Sequence, residues 1–239
     1  MAEAVIVSTA RTAMSKSVRG LFNNTHGITL ASHALSHAMV RAGVDPADVE
    51  DVVLGCAYPE GATGFNIGRN AAMAAGCPTS TAGMTVNRYC SSGLQAIAIA
   101  AGRVINEGVP VMAAGGVESI SLVQFGGSAN MSHAREENLF NRLPALWMTM
   151  IETAEIVADR YDVSRESQDE FALLSQQRTA AAQKAGLYDD EIVPLETTWK
   201  KVDRETKEES FEQVVAARDD CNRPDTTLEG LASLQPVFK

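Results

Sequence analysis

The spacing of apolar residues changes period repeatedly over the first half of the chain. Residues 4–10 (AVIVSTA) form a short β-branched run, while residues 28–44 (ITLASHALSHAMVRAGV) space their apolar positions as a helix does, with Gly43 as a stop. The alternation continues with a strand over 49–58 (VEDVVLGCAY), a short helix over 66–76 (NIGRNAAMAAG) and a strand over 82–89. A helix over 91–107 and a strand over 109–116 (VPVMAAGG) follow. Strands alternating with helices predict an α/β fold, a mostly parallel sheet with helices on its faces. From about residue 120 the pattern becomes irregular, with Gly-Gly, Asn and Pro. Residues 147–186 then predict two helical stretches broken near Asp162 and Val163, the second starting on Ser164 as N-cap with acids in its first turn. The remainder mixes charges, a tryptophan and Pro-containing segments, and reads as an excursion packed on a core.

A chain of 239 residues, 45% hydrophobic and 21% charged, suits one large or two modest globular domains. Such a chain can bury about 70–75% of the surface its unfolded form exposes. The net charge of −10 argues against nonspecific nucleic-acid binding, which needs Lys and Arg to neutralise phosphates. Cys56, Cys77, Cys90 and Cys221 form no CxxC pair and have no His at ligand spacing, which speaks against zinc or another metal. They read as reduced thiols in a cytoplasmic setting. No apolar run approaches the about 20 residues of a membrane helix, so no membrane span is expected. The opening MAEAVIVSTARTA enters a strand pattern without a charged region ahead of an apolar core, which predicts no secretory signal.

Within VNRYCSSGLQAIAIAAG (86–102), Cys90 stands where the strand gives way to the helix. Gln95 is the only polar side chain from Gly93 to Gly102, so this helix is expected to be buried. Unpaired backbone N–H groups and the helix dipole favour negative charge at such a start. The setting suits a thiolate nucleophile and an oxyanion forming beside it, the requirements of acyl transfer. The same spacing also suits a free cysteine filling a core as a small hydrophobe. Cys56 at a strand end, Cys77 before Pro78 and Cys221 in a charged stretch lack that setting and read as structural. His26, His33, His37 and His133 match no catalytic motif; His33 and His37 lie one helical turn apart, with no third ligand.

At NRYCSSGLQA (87–96) the sequence resembles the thiolase family, in wording nearer the degradative 3-ketoacyl-CoA thiolases than the biosynthetic acetoacetyl-CoA type. Further matches run in order along the chain: IVSTARTA (6–13), NIGRNAA (66–72), AAGGVESIS (113–121), TAEIVADRY (153–161), SQDEFALLSQ (167–176), AGLYDDEIVP (185–194) and RPDTTLEGLASLQPVF (223–238). The resemblance implies a thiolase-like α/β fold, a mixed and mostly parallel sheet with helices on both faces plus an inserted, mainly helical loop domain. Residues 1–119 would be the N-terminal domain, and 120–239 the loop domain that covers the active site and binds CoA. The implied activity is that of an acyl-CoA C-acyltransferase: thiolytic cleavage of 3-ketoacyl-CoA, as in β-oxidation, or the reverse Claisen condensation of acetyl-CoA. Cys90 would carry the acyl group as a thioester, its own N–H serving an oxyanion hole. Met150, in MIETAE, falls where the family has a Met-Gly lining the acyl pocket; Ile151 replaces the Gly, and a core methionine is the competing reading. Arg223, before Pro224, matches an arginine that packs against the CoA nucleotide, the alternative being a solvated surface arginine. No cofactor is implied, CoA and acyl-CoA being substrates.

The family's Gly-His-Pro, Asn-Glu-Ala-Phe and late Cys-x-Gly-Gly-Gly motifs follow the loop domain, and this chain carries none of them. The resemblance therefore implies a C-terminal thiolase half on a separate chain, which supplies the general base, with further homo-oligomerisation to a dimer or tetramer of the complete unit. Without that half the chain is expected to be inactive, and to expose an apolar face of the Cys90 helix and an unpaired sheet edge. It reads as one subunit of a split enzyme, a fragment, or a decayed remnant. The loop-domain matches speak against a decarboxylating condensing enzyme of the wider superfamily. A non-catalytic CoA-binding or assembly subunit is the alternative from another class.

Overall fold

Strand β1 (Asp51–Gly55) is buried at every position. That is the mark of a parallel strand covered on both faces. The computed structural model, which describes residues 3–238, pairs it in parallel with β2 (Ala82–Val86) and β3 (Met112–Gly116), in the order β2-β1-β3. Helix α1 (Gly27–Ala42) precedes β1, α2 (Ile67–Ala74) joins β1 to β2, and α3 (Ser92–Glu107) joins β2 to β3. The chain steps from β1 to one side and then back past it to the other. Right-handed crossovers therefore put α2 and α3 on opposite faces of the sheet. The packing agrees: Val52 and Leu54 join Ala31, Leu35 and Met39 of α1 and Ala71 of α2 in one core. Asp51 points to the other face, where its carboxylate meets Arg103 of α3 at 2.5 Å. Gly43 ends α1 as expected, at φ 65°, its N–H closing on Met39 and Val40 carbonyls.

Two compact units divide the described residues: one runs up to Asn130 and includes Asp189–Cys221, and the other holds Met131–Tyr188 with the residues from Asn222 onward. The sequence sets a boundary at residue 120; packing divides the described residues at Asn130 and places 189–221 with the first unit. There the antiparallel hairpin β4 (Leu195–Val202) and β5 (Glu209–Ala216) stands where only an irregular excursion was expected. Asn23 docks it, donating to the Lys200 carbonyl at 2.8 Å and accepting from the Lys200 N–H at 3.2 Å.

The β-branched run at 4–10 forms no strand. Val5, Ile6 and Val7 are 74%, 75% and 71% exposed. Strand propensity is a preference for a half-buried pleated surface, and these residues are offered none within the described chain. Pairing begins at Arg11, whose N–H donates to Glu191 O at 2.9 Å and whose carbonyl accepts from Val193 N at 2.8 Å. The Arg11 guanidinium makes two parallel bonds to Asp219, at 2.7 and 2.9 Å, and one to Glu191 at 2.8 Å. Asp219 also accepts from Met14 N at 2.7 Å. Burial pushes the Asp219 carboxyl up, but the bonds from Arg11 and Met14 outweigh it and hold the group below its ordinary range. A depressed folded-state value means the stabilisation is present above the unfolded value of about 3.9 and is lost as pH falls through the folded value. Asp219→Ala is expected to cost about 1.5–3 kcal/mol at neutral pH. Urea denaturation would read it as a lowered midpoint, with the gap from the parent chain closing in strong acid.

In the second unit, helices α4 (Glu137–Arg142), α5 (Met150–Arg160), α6 (Arg165–Lys184) and α7 (Leu228–Ala232) fully bury none of their residues. Their ends are held by caps. Thr149 and Glu152 form a reciprocal capping box at the start of α5, the Glu152 carboxylate accepting from Thr149 N at 2.8 Å. The break at Asp162, φ 52°, and the Ser164 cap of α6 fall where the sequence predicts them. Arg165 ties α6 to the end of α7, donating to Leu231 O at 2.6 Å and Leu234 O at 3.1 Å. Among the described residues no helix is long and apolar enough to cross a membrane.

Candidate active site

The loop after β1 leads to α2 on one face of the sheet, and the loop after β2 leads to α3 on the other. The carboxyl ends of neighbouring strands whose connections leave to opposite faces are where α/β sheets bind ligands. Cys90 stands on the second of these loops. The turn that carries it is tight: Ser91 N donates to Arg88 O at 3.1 Å and Ser92 N to Tyr89 O at 3.0 Å. The buried Ser92 hydroxyl closes it again, accepting from Arg88 N at 2.8 Å and donating to Tyr89 O at 2.5 Å. Tyr89, immediately before the cysteine, is held at φ 46°, in the left-handed region that non-glycine residues rarely occupy.

The Cys90 thiol is exposed. Its backbone N–H has no acceptor among the described residues. The arrangement thus offers an accessible sulfur beside a free N–H donor, two residues ahead of a helix. The other thiols are held toward the neutral form. Cys56, at the end of β1, is pushed up to about 11 by burial first and then by the charge of Glu118, whose Oε1 lies 3.8 Å from its sulfur. Burial raises Cys77, and burial together with Asp220 raises Cys221.

Helix α3 departs from the expectation of burial on all sides. Ser92, Ala96 and Ala100 form a buried stripe, while Leu94 and Ile105 are 71% and 46% exposed. The stripe follows the sheet, against which α3 packs in the described residues. The exposed apolar face is the one expected of the chain on its own.

Residues 4–239 match the family model described as the thiolase N-terminal domain. The chain belongs to the thiolase family. It is similar to the 3-ketoacyl-CoA thiolase of Bacillus subtilis, 40% identical over 240 residues that span 100% of this chain and 60% of the relative. The human peroxisomal 3-ketoacyl-CoA thiolase is 38% identical over 238 residues, 100% of this chain and 54% of its own length. The crystal structure of the Bacillus anthracis acetyl-CoA acetyltransferase has the same fold, with a TM-score of 0.81 at 34% identity, covering 100% of this chain and 60% of that one. The chain therefore spans 54–60% of the length of these relatives.

Against this thiolase frame, Met150 is the first residue of α5 and is 77% exposed, so in this chain it is not a core methionine. With Ala154, Val157 and Val163 it lines an open, mainly apolar groove of about 360 Å³ along α5. Arg223 is exposed; Gln176 Oε1 accepts from its backbone N–H at 2.7 Å, and its carbonyl accepts from the Thr226 hydroxyl at 2.7 Å. The backbone is pinned, while the guanidinium has no partner among the described residues. Cys90 belongs to the first unit; Met150 and Arg223 belong to the second. The histidines take structural places: His26 caps α1, and His33 is pushed down by burial and by His37, their rings 4.6 Å apart. Sequence reasoning passed over Asn87, Ser92 and Glu118. Each lies inside a thiolase-like segment; Ser92 acts within its own turn, while the parts of Asn87 and Glu118 depend on the meeting of strand ends that lie far apart in sequence.

Proposed function

We propose that the chain is the nucleophile-bearing part of an acyl-CoA C-acyltransferase acting on 3-ketoacyl-CoA or, in reverse, on acetyl-CoA. The observation that carries this reading is the exposed Cys90 thiol, set at the turn into α3 beside a backbone N–H that has no acceptor among the described residues. The names of the relatives agree with it. In the cleavage direction the Cys90 sulfur attacks the C3 carbonyl of the 3-ketoacyl group, and the Cys90 N–H donates to the oxyanion. The C2–C3 bond breaks, its electron pair leaves with C2 and takes up a proton, and acetyl-CoA departs. A second CoA gives up its thiol proton to a base, attacks the Cys90 thioester and restores the thiolate. The base is supplied by the C-terminal part of the thiolase unit, the part of the relatives' length that this sequence does not span, in a cytoplasmic dimer or tetramer of the complete unit. Met150 would line the acyl site, with Ile151 narrowing it, and Arg223 would meet the CoA nucleotide, where a planar cation suits both adenine and phosphate.

The test is acylation of the native assembly by acetyl-CoA, followed by acid quenching, intact mass and peptide mapping. An acetyl group on the Cys90 peptide is the expected result. An assembly that binds CoA but never acylates is a binding subunit and overturns the enzymatic reading.

A further inference from the structure

We infer that Asn87 and Glu118 are positioning residues for Cys90, gripping between them the backbone N–H and carbonyl of Ala57. The inference rests on the reading of Cys90 as the nucleophile. A residue such as Tyr89, held in the left-handed region, persists only where its surroundings over-determine it. Asn87 does so with both ends of its amide. Its Oδ1 accepts from Tyr89 N at 2.9 Å, inside the turn, and its Nδ2 donates to Ala57 O at 2.9 Å, on the neighbouring loop. The reversed amide would satisfy neither contact, so the network fixes its orientation.

The N–H of the same residue is held from the third strand. Glu118, two residues past β3, accepts from Ala57 N at 2.8 Å and from Tyr58 N at 3.3 Å. Carboxylate–amide bonds of this kind are charge-assisted and stronger than neutral ones. A continuous path thus runs from β3 through the backbone of Ala57 in the β1 loop to Asn87 and the turn that aims Cys90. None of these groups is asked to touch substrate. Their work is to keep the thiol and its N–H in one place.

The test is the rate at which iodoacetamide labels Cys90 in the full chain, followed by peptide mass over a range of pH, with Cys221 as internal reference. Asn87→Ala and Glu118→Ala are each expected to change the Cys90 rate by about tenfold, the scale of a small misplacement of a reacting group. Each should also shift the pH midpoint of labelling, while Cys221 is unaffected. The double variant should be no worse than the more affected single one, because both act through the backbone of one residue, Ala57. Asn87→Asp keeps the acceptor for Tyr89 and loses the donor to Ala57, so an intermediate effect is expected; it carries the test where the alanine variant does not fold. Glu118→Gln, which keeps one acceptor oxygen, should restore part of the rate lost in Glu118→Ala. In the acyltransferase assembly the same variants should lower kcat with KM nearly held. Cys90 labelling that ignores both substitutions, or effects that simply add, overturns the positioning role. Acylation of the parent chain at a residue other than Cys90 overturns the reading on which it rests.

Discussion

Cys90→Ala is expected to lower thiolytic turnover of the native assembly by at least about a thousandfold, the scale on which removing a covalent nucleophile acts. The fold should not register the change. The Cys90 side chain is exposed and makes no hydrogen bond among the described residues, so truncation leaves neither a cavity nor an orphaned group. Surface substitutions of that kind stay within about 0.5 kcal/mol. CoA binding should persist as well, because the groups assigned to CoA lie elsewhere. Steady-state thiolysis, a CoA titration and a urea curve on the same preparation separate the three quantities. Turnover within about tenfold of the parent would put the nucleophile elsewhere. The other exposed thiol, Cys221, is raised by burial and by Asp220 and is poorly placed to take over.

Gly55→Ala is expected to damage fold and site together. A Cβ on Gly55 would lie 2.2 Å from the Ser92 carbonyl carbon, 2.4 Å from Gly93 N and 2.5 Å from Ser92 O. All three are backbone atoms, so no change of rotamer clears them. The first turn of α3 has to lift off the end of β1, two residues past Cys90. Overpacking of this severity costs about 3 kcal/mol or more. It should appear as a lowered urea midpoint and, in whatever fraction remains folded, as an altered rate of Cys90 alkylation. Gly102, on the same helix, is the control: a Cβ there meets only the Asn106 side-chain amide, at 3.9 Å. Gly102→Ala should be neutral or stabilising by about 0.5–1 kcal/mol, since alanine is the better helix former. A Gly55→Ala chain as stable as the parent would mean that the close helix–sheet approach does not hold in solution.

The strands and helices between residues 27 and 116 were legible because each turns at least part of its apolar face toward elements near it in sequence, completely at β1 and only partly at β2, β3 and α3. Helix α6 was legible for a different reason. Ser164 caps it by a local hydrogen bond that needs no tertiary partner. The hairpin β4–β5 was not legible. Its turn segment, 203–208 (DRETKE), has no Gly, Asn or Pro and is marked only by Asp203, whose carboxylate accepts from Glu205 N and Thr206 N, and its strands are buried chiefly where Leu195 faces Ala216. The run at 4–10 erred in the opposite sense. Its composition asks for a strand, and the described chain offers no edge until Arg11 meets Ile192.

What the sequence determined by itself is the α/β alternation, the family, and the placing of one cysteine at a strand-to-helix turn. All of these follow from local spacing and local wording. Only the tertiary structure decided that α3 buries a single stripe, that Met150 is exposed, and that Arg11 is held by Asp219 from the far end of the same unit. It also decided that Glu118, Ala57 and Asn87 meet beside Cys90. Those residues are contiguous only because β2, β1 and β3 lie side by side in that order, and strand order is a property of how distant segments pack. No local pattern of apolar and polar residues encodes it.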